Sequence, residues 1–195
     1  MRVLVVYCHP VEESFCNALH EAILDALTAN GHEVDDCDLY AEGFNPVLSR
    51  QERLAYNEPG DNLREVRPYV ERVMQAEALI FVFPVWNFGL PAMLKGFIDR
   101  VFVPGISFHM DSSGRILPGL THLRHVQGVA TYGVPRWKAW WLGDAPRATL
   151  HRFFRRLTGG RARVVYHAHY HLNVAPRADL ERFLQGVRDA MKELH

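Results

Sequence analysis

Three short stretches concentrate the residues able to do chemistry. The first, HPVEESFCN at 9–17, follows an apolar run and ends where a helix should start. The first turn of a helix leaves backbone N–H groups without partners and carries the positive end of the dipole. Ser14, Phe15 and Cys16 could therefore hold a phosphate through main-chain and hydroxyl donors. The plainer alternatives are that Ser14 only caps its helix and that His9 bonds a loop carbonyl. The second stretch, PVWNFG at 84–89, sets Trp86, Asn87 and Phe88 on a bend held tight by Gly89 and Pro91, where the side chains cannot all join a core. Aromatic faces and the free amides of a rigid bend suit a planar, hydrogen-bonding heterocycle; a small aromatic cluster sealing a sheet edge is the alternative. The third, TYGVPRWKAWW at 131–141, repeats the recipe with Tyr132, Gly133, Trp137, Trp140 and Trp141. Two aromatic loops flanking a phosphate loop describe the mononucleotide half of a flavin.

The elements between these stretches explain how they could meet. RVLVVY (2–7) and ALIFVF (78–83) are continuous apolar runs, as expected for strands buried on both faces of a parallel sheet. Ser14 starts a helix carrying Leu19, Ile23 and Leu27, and EVDDCDLY (33–40) has the charge of an edge strand. A helix with Val66, Val70, Val73 and Met74 on one face precedes the second apolar strand. Further expectations are a helix over 92–101, an irregular stretch to about 121, a strand from 126, a helix near 145–157 and a strand near 162–169. Leu180, Phe183, Leu184, Val187, Met191 and Leu194 form one stripe of a last helix. Strands alternating with helices predict a three-layer α/β fold, with a five-stranded parallel sheet in flavodoxin-like order 2-1-3-4-5 and helices on both faces. In such sheets ligands bind beyond the carboxyl ends of the strands, where the winding reverses, and all three stretches fall there.

At 195 residues and 48% apolar content the chain suits a single domain over 1–195. Lys+Arg and Asp+Glu are both 22, so no net field favours nucleic acid or an anionic membrane. No apolar run approaches a membrane span, and with the first strand starting at residue 2 no signal peptide is expected. Cys8, Cys16 and Cys37 lack CxxC spacing and are expected to be free thiols in a reducing, cytoplasmic setting.

HPVEESF-CNAL, DLYAEGFNPVLSR, FPVWNFGLPAMLKGFIDRVF and TYG together resemble the NAD(P)H:quinone oxidoreductase family of flavodoxin-like flavoproteins, in order over at least residues 1–145. The resemblance implies a homodimer with its active site at the interface and a bound flavin, FAD as in the quinone reductases, or alternatively FMN as in the azoreductases. It also implies hydride transfer from NAD(P)H to flavin, then two-electron reduction of a quinone-like acceptor in the same pocket. Carried over position by position, His9, Ser14, Phe15, Cys16 and Asn17 would grip the phosphates. Pro84, Val85, Trp86, Asn87 and Phe88 would line the ring and ribityl chain, and the amides of Thr131, Tyr132 and Gly133 would face the ring's polar edge. Tyr132 and Gly133 are thus the candidate catalytic positions. Trp86, Phe88, Phe108, Tyr132 and Trp137 are the candidate substrate walls, some of them supplied across the dimer. The mammalian-type enzymes carry a Tyr and a His before the Gly-Asp that resembles Gly143-Asp144. This chain is about three residues shorter there and has Leu142 at the His place, so that pair's role does not transfer.

Other features point elsewhere. His167, His169 and His171 alternate and would share one strand face, a pattern that can ligate zinc, but no Cys or carboxylate spacing joins them and no metal is expected. Arg147, Arg152, Arg155, Arg156, Arg161 and Arg163 suit a solvated helix face, with phosphate recognition the minority reading. Ser14 lacks the G-x-S-x-G elbow of a hydrolase. Two non-catalytic readings remain: a one-electron flavodoxin-type carrier, disfavoured by the neutral charge, and a flavin-binding ancillary subunit of a potassium efflux system.

Overall fold

The structure, a computed structural model, describes residues 1–58 and 60–195. Its main sheet is wholly parallel, with strands β1 (Arg2–Tyr7), β2 (Glu33–Asp38), β3 (Ala78–Val85), β6 (His125–Tyr132) and β7 (Arg163–His169) in the order β2-β1-β3-β6-β7. Counting the sheet strands alone, this is the expected 2-1-3-4-5 pattern. Two further strands, β4 (Phe108–Met110) and β5 (Ile116–Pro118), form a small antiparallel hairpin in the stretch expected to be irregular. Three-residue strands carry too short an alternation to stand out in sequence.

Alternation across the pleat divides the core into two layers. On one face Leu4, Val6, Leu79, Phe81, Phe83, Val126, Ala130 and Tyr132 pack against helices α3 (Arg67–Gln75) and α4 (Ala92–Val101) and against residues 150–157. On the other, Val3, Val5, Tyr7, Ile80, Val82 and Val129 meet α1 (Phe15–Ala29) and α8 (Arg177–Lys192) through Leu19, Ile23, Leu27, Val187 and Met191. Met74, expected on the buried stripe of α3, is exposed, and Val66 caps that helix from a buried position.

Helix α2 (Arg50–Ala55) lies in the segment after GFNPVLSR and begins with a capping box, in which Ser49 Oγ accepts from the Glu52 amide and Glu52 Oε2 accepts from the Ser49 amide. The expected helix near 145–157 is broken into α6 (Ala145–Ala148), a π-helical turn (Thr149–Phe154) and α7 (Arg155–Leu157). A short helix α5 (Arg136–Trp141) occupies what read as a loop.

The connection from β2 to α2 is pinned to α4 at two points. Arg100, only 4% exposed, holds Glu52 Oε1 at 2.7 Å, Glu65 Oε2 at 3.0 Å and the Asn45 carbonyl oxygen. At Gly96 any Cβ would overlap the Pro46 carbonyl, Cα and Cβ. Gly96→Ala is therefore expected to lose about 1–3 kcal/mol of stability in urea unfolding, because the obstacle is backbone and cannot rotate away.

Candidate active site

A cleft of about 460 Å³ opens at the carboxyl edge of the sheet, lined by His9, Ser14, Phe15, Cys16, Pro84, Val85, Trp86, Asn87, Thr131, Gly133, Leu172 and Asn173. It sits where β1 and β3 part to opposite windings, as the topology requires.

One end is the start of α1. Ser14 is the N-cap, and its Oγ accepts from the Asn17 amide at 3.1 Å. That leaves the Phe15 and Cys16 amides without a hydrogen-bond partner among the described residues. Two orphan donors beside a hydroxyl, at the positive end of a fifteen-residue helix, fit an anion. His9 stands next to them. His9 Nδ1 lies 3.0 Å from the Val11 amide nitrogen and 3.2 Å from the Val11 carbonyl oxygen, so the loop backbone holds that edge of the ring and Nε2 is the edge turned away from Val11. Burial lowers the imidazole's pKa, against the opposing hydrogen bond to the Val11 backbone. Cys16 is buried, and its thiol is pushed up by burial and then by Cys8, whose own thiol burial raises to about 12. Neither is a nucleophile at neutral pH.

The other end is a two-residue turn. The Trp86 amide donates to the Gly89 carbonyl at 3.2 Å and the Gly89 amide to that of Trp86 at 2.9 Å, with Asn87 (φ 48°) and Phe88 (φ 62°) both left-handed between them. This is the pattern of a type I′ hairpin turn, which leaves the Asn87 and Phe88 amides unbonded among the described residues. Asn tolerates the conformation and Phe does not. Phe88→Gly is expected to raise stability by about 0.5–1 kcal/mol in thermal unfolding, a gain held down by the entropy of the added glycine.

The third side is the end of β6. Thr131 faces the α1 layer and joins the cleft, and the Gly133 amide, past the last strand pair, has no partner among the described residues. A Cβ at Gly133 would stand 3.1 Å from Asn173 Nδ2, so the backbone there runs close under the final connection.

The other expected site residues lie elsewhere in the chain. Tyr132 is 1% exposed and its ring does not line the cleft; β6 continues through residue 132, so the pleat sends that side chain to the face opposite Thr131. The expectation of Tyr132 as a substrate wall is corrected on that ground. Asn17 spends its side chain on Glu21 Oε1 at 2.9 Å, within α1. Phe88 is exposed at the turn tip, and Trp137 is exposed on α5. Phe108 lines a separate apolar hollow of about 320 Å³ with Tyr56, Phe102 and Phe153. Leu172 and Asn173, from a single 3₁₀ turn after β7, were missed; the signal was their place after the last parallel strand, at the same edge.

Two of the three histidines, His167 and His169, share a face of β7 and line one cavity against α8, while His171 does not join them. His167 Nε2 lies 3.0 Å from Gln127 Oε1, and His169 is buried edge-on between Phe15 and Phe183. His171 has left the strand in a left-handed conformation. Among the described residues no group of three or more His, Cys, Asp or Glu is placed to hold a metal. Of the arginine run, Arg147 is half-exposed and pairs with Asp144 at 3.0 Å.

This sheet order, with a helix start, the Trp86 turn and the Thr131–Gly133 strand end meeting at its switch point, defines an α/β protein of the flavodoxin-like class. A family profile described as "Flavodoxin-like fold" matches residues 1–188. The chain is 36% identical over 124 residues to NAD(P)H dehydrogenase [quinone] 1 of Rattus norvegicus, covering 55% of this chain and 45% of the rat enzyme. It thus spans about half the length of that relative. The NAD(P)H:quinone oxidoreductase from Methanothermobacter marburgensis superposes with a TM-score of 0.83 at 27% identity, covering 100% of this chain and 98% of that one. The FMN-dependent NADH-azoreductase from Bacillus anthracis, solved in complex with FMN, shares the fold with a TM-score of 0.79 at 16% identity over 97% of each chain. The chain belongs to the flavodoxin-like fold family. No helix among the described residues is long and apolar enough to cross a membrane.

Proposed function

We propose that the protein is a flavin-dependent oxidoreductase that passes hydride from NAD(P)H to quinones or similar acceptors. The observation that carries this reading is the pairing, in one cleft, of the orphan Phe15 and Cys16 amides with the indole and unbonded amides of the 86–89 turn. The phosphate would lie on Ser14, Phe15, Cys16 and His9. The ring would lie between Trp86 and the Gly133 edge. When bound, the flavin supplies the two-electron chemistry itself. The chain's part is to hold it, to shed water from the ring with Trp86 and Val85, and to aim the Asn87, Phe88 and Gly133 amides at its polar edges. No side-chain acid or base is required, consistent with the loss of the family's Tyr and His. Donor and acceptor would use the same open face in turn, which gives ping-pong kinetics.

FMN is the better occupant than the FAD first expected. The cleft ends at Phe15, which packs on His169 and Phe183. A neighbouring cavity of about 480 Å³ between β7 and α8 shares none of its lining residues. An adenosine half would have to cross those rings to reach it. The FMN complex of the azoreductase supports the same choice.

A homodimer completes the reading. Trp137, Trp140 and Trp141 are 65%, 77% and 74% exposed on α5, and such a patch calls for a cover. Three buried free thiols suit a reducing compartment, so we place the protein in the cytoplasm. The test is to weigh the extracted yellow ligand by mass spectrometry and then mix the holoprotein with NADPH in a stopped-flow cell. Bleaching followed by reoxidation with benzoquinone supports the enzyme. Nucleotide binding without bleaching would favour the ancillary-subunit reading, and a single-electron response the carrier.

A further inference from the structure

Tyr132 ends β6 directly before the Gly133 amide that opens on the cleft, and its side chain is held more firmly than packing alone requires. Its hydroxyl donates to Asp144 Oδ1 at 2.5 Å and lies 2.7 Å from the Tyr166 hydroxyl. Its ring lies 4.6 Å from that of Tyr170. Asp144 is itself anchored: Arg147 Nε donates to Oδ2 at 3.0 Å, Arg147 Nη2 reaches the Tyr170 hydroxyl at 3.0 Å, and the guanidinium carbon sits 4.6 Å over the Tyr166 ring.

This grip is built at a cost. Asp144 is left-handed (φ 40°) after Gly143 (φ 86°), and is kept so by its amide's bond to the Ala139 carbonyl at 2.9 Å. The Tyr132–Asp144 bond thus closes the loop that carries α5 and fixes the chain on both sides of Gly133. By contrast, residues 133–134 have few main-chain ties of their own, the His171 amide to the Val134 carbonyl at 2.9 Å being their one main-chain hydrogen bond among the described residues. A backbone donor aimed at a ligand is useful only while its peptide plane cannot swing, and here the plane is set from behind, through Tyr132.

We propose that Asp144 is a positioning residue which, through the Tyr132 hydroxyl, holds the Gly133 amide in register with the edge of the bound flavin. It touches neither cofactor nor substrate. The inference rests on the flavin reading above and adds to it the group that replaces the family's missing pair as a determinant of flavin affinity and potential.

The test is titration of apoprotein with FMN, together with the apoprotein melting temperature and the two-electron midpoint potential of the holoprotein. Tyr132→Phe removes one oxygen and no charge. It is expected to weaken FMN binding about tenfold, the equivalent of about 1.4 kcal/mol, and to move the midpoint potential to more negative values because the reduced ring loses a donor. Asp144→Ala should weaken binding as much. Asp144→Asn, which keeps an acceptor for the hydroxyl, should restore affinity to within about threefold of wild type. If Tyr132→Phe does not fold, Tyr166→Phe carries the test, with an expected loss of about threefold. Lower apoprotein melting with wild-type FMN affinity and potential would make the network a brace and overturn the inference. Failure of the wild-type chain to take up FMN would overturn the flavin reading itself, and this inference with it.

Discussion

Ser14→Asp is expected to lose FMN binding while leaving the fold as stable as before. Aspartate caps a helix as well as serine does, and its charge is favourable at a helix start, so α1 keeps its N-cap bond to the Asn17 amide. The same carboxylate, however, would stand where the Phe15 and Cys16 amides await a phosphate. At contact distance in a half-buried cleft, repulsion between like charges outweighs the hydroxyl's contribution, and the expected loss is at least about 100-fold, or about 2.7 kcal/mol. Riboflavin, which has no phosphate, should bind the variant as it binds wild type. Calorimetric titration with both ligands and a thermal melt of the apoprotein make the check. Equal FMN affinity in Ser14→Asp and wild type would place the phosphate elsewhere and remove the main support for the cleft as the flavin site.

The second large effect concerns the frame. Arg100→Met should cost about 3–5 kcal/mol in urea unfolding, because it strands Glu52, whose side chain is nearly as buried as the arginine's, without its partner. Glu65 adds little, since its carboxylate is half exposed. The pH dependence separates this from simple loss of packing. Burial raises the Glu52 pKa, but the Ser49 amide and the Arg100 guanidinium outweigh it and hold the carboxyl below its ordinary value. A depressed folded pKa contributes stability above the unfolded value, about 4.3, that is lost as pH falls through the folded value. Without Arg100 the Ser49 bonds alone oppose burial and the folded pKa rises from its wild-type position, so the variant loses stability at neutral pH that wild type keeps and loses less in acid. The gap between wild type and Arg100→Met should therefore be widest near pH 7 and narrow below about pH 4. A gap independent of pH would show that the loss is one of packing.

Much of the site was legible because it depends on neighbours in sequence. An apolar strand followed by Ser14, and another followed by PVWNFG, put two loops at one sheet edge by topology alone, and the structure brings Ser14, Phe15, Cys16, Trp86, Asn87, Thr131 and Gly133 to one cleft. Tyr132 was misplaced for a reason of parity. Whether a side chain at the end of a strand faces one layer or the other turns on where pairing stops, and β6 runs one residue too far for Tyr132 to join Thr131. The S-R-Q-E capping box at 49–52 was present to be read and marks α2. The arrangement of His167, His169 and His171 depended on where β7 ended, which no local pattern marks.

Strand and helix identity, the order of winding and the edge at which the chemistry collects were set by the chain's own periodicities, since an apolar stripe or a continuous apolar run has a single way to be buried. The pairings that tune the site came from elsewhere. Tyr132 with Asp144, Asp144 with Arg147, Arg100 with Glu52 and Gly96 under Pro46 each join segments 3 to 50 residues apart. Their partners are chosen by how layers of side chains settle against each other to within an ångström, and that is a property of the packed molecule.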